Sequence, residues 1–271
     1  ISYRLVGSEM CIRDRALEYT KTFGGRIISF SQDEFLSENG VINEGIVSTQ
    51  LGLKGVPPIS ESISIFRDIE ILEYSNGKVH IPYVNTKKGV DLIRDAKKRN
   101  LDITSSVSLA HITLSDKDIF DFNTNLKLNP PLRDNSDIQA LKEGIIDGTI
   151  DFVTSMHEPI NDDLKKVVFD DAIPGTIALE CVFGLLCNNF TLEKTIDILT
   201  RKKDVFEIED CPIEIGSNAD LTIFNPEVNY VFSENHILSS SNNCAYLDKN
   251  LKGIVYGAIN NNKATLNKLW T

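Results

Sequence analysis

The sequence predicts an α/β chain with a parallel sheet, followed by a smaller β subdomain. Three observations carry this. Short apolar runs alternate in strict order with stretches of helical period. The runs are continuously apolar, as in strands buried on both faces, and do not alternate as half-exposed strands do. After about Arg201 the pattern shifts to short strands divided by polar turns such as Gly216-Ser217-Asn218.

The elements follow in order. Residues 26–30 form a first apolar strand. Residues 60–74 carry Ile63, Phe66, Ile69, Ile71 and Leu72, which predicts a helix packed by that face. Residues 78–84 read as the next strand. Residues 88–99 read as a helix with Val90, Leu92, Ile93 and Ala96 on one side. A third strand is expected at 101–109. Residues 137–146 read as a helix closed by Asp147-Gly148, since glycine suits a helix C-terminus. A buried strand is expected at 149–154. Two helices follow at 177–187 and 192–200, the second begun by Thr191 as N-cap. The tail offers strands at 205–208, 219–224 and 253–259, and residues 239–243 read as a low-complexity linker.

Composition narrows the function classes. The chain has 271 residues, 41% hydrophobic and 25% charged, which suits an ordinary globular core. A net charge of -11 with scattered Lys and Arg argues against nucleic acid. No apolar run approaches the roughly 20 residues of a membrane span. Five cysteines (Cys11, Cys181, Cys187, Cys211 and Cys244) lack metal-ligand spacing and read as reduced thiols of a cytoplasmic protein, with Cys181 and Cys187 in the core. Residues 1–15 show no clear period and resemble translated sequencing adaptor, so they read as a non-native leader. The domains expected after it are 16–204 and 205–271.

Several ordered segments resemble dihydroorotases of the amidohydrolase superfamily. The most specific is Asn123-Thr124-Asn125-Leu126-Lys127-Leu128-Asn129-Pro130-Pro131-Leu132-Arg133. It is supported by Leu51-Gly52-Leu53-Lys54-Gly55-Val56-Pro57, by the stretch from Lys78 to Thr86, and by the stretch from Asp147 to Pro159. The stretches from Phe169 to Glu180 and from Ala219 to Phe224 complete it. The resemblance implies a partial (β/α)8 barrel, strands five to eight with their helices, plus a small C-terminal β subdomain. A full barrel takes about 250 residues. The first four strands are missing by this reading, and such a half barrel is expected to aggregate or need a complement.

The family hydrolyses a cyclic amide with zinc held by His and carboxylate ligands at strand tips. Aligned on it, Phe30 stands where the fifth strand has a His, Tyr83 where the sixth has a His, and Met156 where the eighth has the catalytic Asp. A phenyl ring and a thioether do not hold a hydrolytic metal pair, and a lone phenol makes no site. Ile160 replaces a further His of the last loop. The expectation is therefore no catalytic residue, no metal and no cofactor in this chain.

Asn129, Pro174 and Gly175 are the candidate substrate-binding residues that remain. Two readings of them stand equally: pocket lining, or rigid turns. His157, His80 and His111 read as structural or packing residues, and His236 is uninformative.

The implied function is an inactive dihydroorotase homologue of pyrimidine biosynthesis, a structural partner of aspartate transcarbamoylase. A homo-oligomer is a further expectation. The alternative is a full-length, active metal-dependent dihydroorotase. A ligand sensor is a third reading without positive support.

Overall fold

The computed structural model describes residues 10–201, 205, 208, 212–260 and 263–267. Helix α1 (Met10–Lys21) leads into strand β1 (Ile27–Ile28). An excursion follows: α2 (Glu34–Ser37), β2 (Ile42–Asn43), α3 (Ile46–Leu51) and β3 (Gly55–Val56). Then come α4 (Ile59–Ser75), β4 (Val79–Ile81), α5 (Lys87–Lys98) and β5 (Ile103–Ser108). They continue into α6 (Leu109–Thr113), α7 (Asn135–Ile146) and β6 (Phe152–Thr154). The chain closes with α8 (Val182–Asn189), α9 (Leu192–Thr200), β7 (Leu221–Val231), β8 (Asn250–Asn260) and β9 (Lys263–Leu266).

Strands β1, β4, β5 and β6 form one parallel sheet in that order. Parallel neighbours need a crossover, and α4, α5 and α7 supply one each. The helices start where their caps dictate. Thr86 accepts from the Gly89 amide at α5, and Asp134 accepts from Ser136 and Asp137 at α7. Thr191 caps α9 as its sequence predicts. Val90, Ile93 and Ala96 of α5 are buried against the sheet. Full burial of an Ile such as Ile93 contributes about 1.5–3 kcal/mol.

Helix α4 differs from its prediction. Its buried line is Glu61, Ile65, Asp68, Ile69 and Leu72, while Ile63 and Phe66 are 42% and 54% exposed. The polar groups win the inner face because each finds a buried partner there. Asp68 accepts from Ser29 and Ser31, and Glu61 from Asn85 and Thr86. A summed apolar pattern cannot register such pairings.

Other boundaries also differ. Residues 177–187 do not form one helix, because Thr176 bridges to His157 and a 3-10 turn at Leu179–Cys181 precedes α8. Cys181 is buried as expected, but Cys187 is only half-buried. Helix α1 runs across residue 15, and Arg13 pairs with Asp68. Strand β7 pairs antiparallel with β8, and β8 with β9, as a separate three-stranded sheet against which α8 packs. The strand expected at 205–208 lies partly outside the described residues, as does Cys211. No helix among the described residues is long and apolar enough to cross a membrane.

Candidate functional site

The C-terminal ends of the four parallel strands are where such sheets place chemistry. At the tip of β1, Phe30 lies between Ser29 and Ser31, whose hydroxyls both donate to Asp68 at 2.6 and 3.3 Å. Phe30 itself is 40% exposed. Beyond β4, Tyr83 takes a left-handed backbone with φ 55°. Beyond β6, Met156 does the same with φ 49° and is 4% exposed. Left-handed backbone costs a bulky residue roughly 1–3 kcal/mol and persists only where its surroundings enforce it. Two of the three tip positions singled out by the resemblance thus carry a left-handed backbone.

The side chains do not fit a hydrolytic metal pair. The three tips supply a phenyl, a phenol and a thioether. Burial, and then the charge of Glu158, push the Tyr83 phenol above its ordinary value, so it stays protonated at neutral pH. Among the described residues no three His, Cys, Asp or Glu gather closely enough to hold a metal ion. Glu158 is half-buried, and burial raises its carboxyl while Lys165 opposes the shift.

The predicted pocket residues come together only in part. Gly175 is buried with φ 140°, and its N–H donates to the Lys127 carbonyl at 2.9 Å, two residues from Asn129. The Glu158 carboxylate sits where a Gly175 Cβ would point, 2.8 Å from it, so any larger residue would clash. Pro174 is half-buried and Asn129 exposed. A cavity of about 230 Å³ lies elsewhere, lined by Leu179, Phe183, Tyr230 and Phe232 beside β8.

The histidines are engaged with the fold. His157 Nδ1 accepts from the Ala178 and Leu179 amides at 3.3 and 3.1 Å. His111 Nε2 faces the Pro130 carbonyl at 3.0 Å, which can only accept, so its Nδ1 takes the Ser108 hydroxyl proton as acceptor. Strand parity predicts that His80 packs away from the Tyr83 face. His80 is buried, shares hydrogen bonds with Thr104 and Ser106 at 3.0 and 3.1 Å, and stacks on Phe152. Parity does not reach Tyr83, because β4 ends at Ile81. Burial lowers both His80 and His111 to about 4. His236 accepts from the Ser233 amide at 3.0 Å.

Sequence reasoning missed the polar node in the connections beyond the tips. The buried Arg133 donates to Asn85 Oδ1 and Asn43 Oδ1, both at 2.7 Å, and to the Val56 carbonyl at 2.8 Å. Asn43 donates on to Asp116 at 2.8 Å. The Asn85 amide donates to Glu61 at 2.7 Å, and burial pushes Glu61 up to about 7. This ties the connections after β1, β4 and β5 together. A second set lies beside it. Lys165 donates to the Thr124 and Ile173 carbonyls at 2.7 and 2.9 Å, and Lys127 to those of Phe169 and Asp170 at 2.9 and 2.7 Å. The only sequence signal is that Arg133 and Lys127 flank the Asn129-Pro130-Pro131-Leu132 run.

No protein-family model matches the chain. It is 38% identical over 250 residues to a dihydroorotase of Endomicrobium trichonymphae, covering 89% of this chain and 59% of that protein. To a dihydroorotase of Geotalea daltonii it is 35% identical over 246 residues, covering 88% and 58%. A D-hydantoinase crystal structure superposes with a TM-score of 0.80 at 17% identity, over 97% of this chain and 62% of that one. The dihydropyrimidinase from Brevibacillus agri NCHU1002 gives 0.79 at 17% identity, over 98% and 62%. The structural likeness shows a shared α/β fold with a parallel sheet. The chain is dihydroorotase-like over about nine tenths of its length, and it spans 58–59% of the length of the curated relatives it matches.

Proposed function

We propose that the protein is a dihydroorotase homologue of pyrimidine biosynthesis that has lost its hydrolytic centre and serves as a structural partner of aspartate transcarbamoylase. In this reading β1, β4, β5 and β6 are the fifth to eighth strands of a (β/α)8 barrel. The three antiparallel strands are then the C-terminal part of its β subdomain, with the division near residues 204 and 205. The observation that carries the reading is the set Phe30, Tyr83 and Met156 at three strand tips.

The physical argument is short. Opening a cyclic amide at neutral pH needs a water whose pKa is brought down to about 7, and a bound metal ion does this. It also needs a group to move the proton. The Met156 thioether holds no proton, and burial moves the Tyr83 phenol further above neutral pH, away from the range of a general base. Asn129, Pro174 and Gly175 remain as a frame for a ring-shaped ligand, without the chemistry to open it.

The test has two arms. Metal analysis and dihydroorotate turnover on the complete protein are expected to give no stoichiometric zinc and no activity above background. Co-expression with aspartate transcarbamoylase is expected to give a complex that co-purifies. Free, unassociated protein sinks the partnership. The second reading, an active metal-dependent dihydroorotase, is favoured by the names of the curated relatives. Two metal ions per subunit together with turnover would establish it.

A further inference from the structure

The connection after β6 runs from Met156 back to Ile177 and carries Met156, Glu158, Pro174 and Gly175. Its two arms lie side by side. The Glu158 N–H donates to the Thr176 carbonyl at 2.9 Å, and His157 bridges to Thr176. A third stretch lies against both arms. It comes from the connection between β7 and β8, in the antiparallel unit.

Asn243 is its centre. Nδ2 donates to the Glu158 carbonyl at 2.9 Å and to the Gly175 carbonyl at 3.2 Å, one on each arm. Oδ1 accepts from the Ile160 N–H at 3.0 Å, and the Ser241 hydroxyl lies 2.6 Å away, its one proton shared between Oδ1 and the Ile160 carbonyl. Both N–H donors and the oxygen of the carboxamide are thus engaged. The Asn243 carbonyl accepts from the Ile177 N–H and the Thr176 hydroxyl, both at 3.0 Å. The Ala245 N–H donates to that same hydroxyl at 2.9 Å. Asn243 is 2% exposed, so water cannot replace these partners.

We propose that Asn243 is a positioning residue: it sets the spacing of the Glu158 and Gly175 arms, and through it the antiparallel unit fixes the shape of the candidate site. No other side chain of this length carries both functions. Asp keeps the acceptor and turns a carboxylate toward two carbonyls. Ala supplies neither. The proposal rests on placing the site at these strand tips, but its test needs neither metal, substrate nor partner. Failure of the test therefore leaves the proposed function standing, and an active enzyme would leave this inference standing.

The test is residue-resolved hydrogen exchange on the whole chain, comparing the parent with Asn243→Ala and Asn243→Asp. In Asn243→Ala the amides of Glu158, Ile160 and Ile177 should exchange about tenfold faster or more, with β4 and β5 unchanged. In Asn243→Asp the Glu158 amide should speed up while the Ile160 amide, whose acceptor survives, stays protected. A merely structural role would not produce that split. Uniform acceleration across the chain, no change, or identical behaviour of Glu158 and Ile160 in the Asp variant overturns the proposal. The parent alone also decides. If its Ile160 and Ile177 amides exchange as fast as a loose loop, Asn243 positions nothing.

Discussion

The strand tips and the polar frame in the connections beyond them are built by opposite rules. At the tips, the three positions where the family resemblance implies metal ligands hold Phe30, Tyr83 and Met156. In the frame, Arg133, Lys127, Lys165 and Asn243 have their buried donors matched to named acceptors. The difference has a physical reason. The Phe30 ring and the Met156 thioether bring no polar hydrogen that the fold must satisfy. A buried guanidinium or ammonium answers to several carbonyls at once, and losing it strands all of them.

The largest break in that contrast should come from Arg133→Met. It leaves Asn43 Oδ1, Asn85 Oδ1 and the Val56 carbonyl without their donor. The expected loss is about 3–5 kcal/mol, read as a fall in the urea midpoint. A loss below about 1 kcal/mol, the range of an exposed ion pair, would show that the frame does not depend on this node.

The pH dependence should rank next. Glu61 binds its proton more tightly in the folded chain, at about 7, than in the unfolded one. Its contribution is full below about 4.5 and is lost as pH rises through 7, amounting to about 3 kcal/mol. His80 and His111 act oppositely. Their folded values near 4 mean that stability from them rises as pH climbs from about 4 to about 6.5. In the parent the two slopes oppose each other between about 4.5 and 6.5. With two histidines against one carboxylate the parent still rises across that window, and Glu61→Gln should steepen the rise and remove the fall between about 6.5 and 7. A profile unchanged by the substitution would refute the assignment.

Lys165→Met should cost about 2 kcal/mol, because the Thr124 and Ile173 carbonyls lose a charged donor. Its effect should be local. Proteolysis between residues 158 and 175 should accelerate more than global unfolding does. Equal acceleration of both would merge this tie with the rest of the core.

Met156→Asp is read for metal and not for stability, since burying a carboxyl group where Met156 is 4% exposed costs more than the better left-handed fit of Asp returns. It sharpens the contrast at the tips. Zinc is not expected to bind the variant, because Phe30 and Tyr83 still offer no partner ligands. Stoichiometric zinc after this single change would mean that the tips had lost far less than their side chains suggest.

Much of the fold is legible in the chain itself. The alternation of strand and helix, the Thr191 cap, the buried Val90, Ile93 and Ala96, and the identities at the three tips are all local properties. Helix α4 shows the limit. Its apolar count places Ile63 and Phe66 inside, but Glu61 and Asp68 take the inner face because their partners lie on other elements. The Ser239–Asn243 stretch shows it more sharply. Its composition reads as a linker, yet it contains the most fully bonded side chain near the site.

By itself, the sequence determined the fold class and the residue types at the three tips, because periodicity and chemical type travel with each residue. Only the tertiary structure decided the left-handed turns at Tyr83 and Met156, the burial of Arg133, and the grip of Asn243. These depend on partners such as Asn43 for Arg133, 90 residues apart, and Ile160 for Asn243, 83 apart. A hydrogen bond across that distance leaves no periodic trace along the chain.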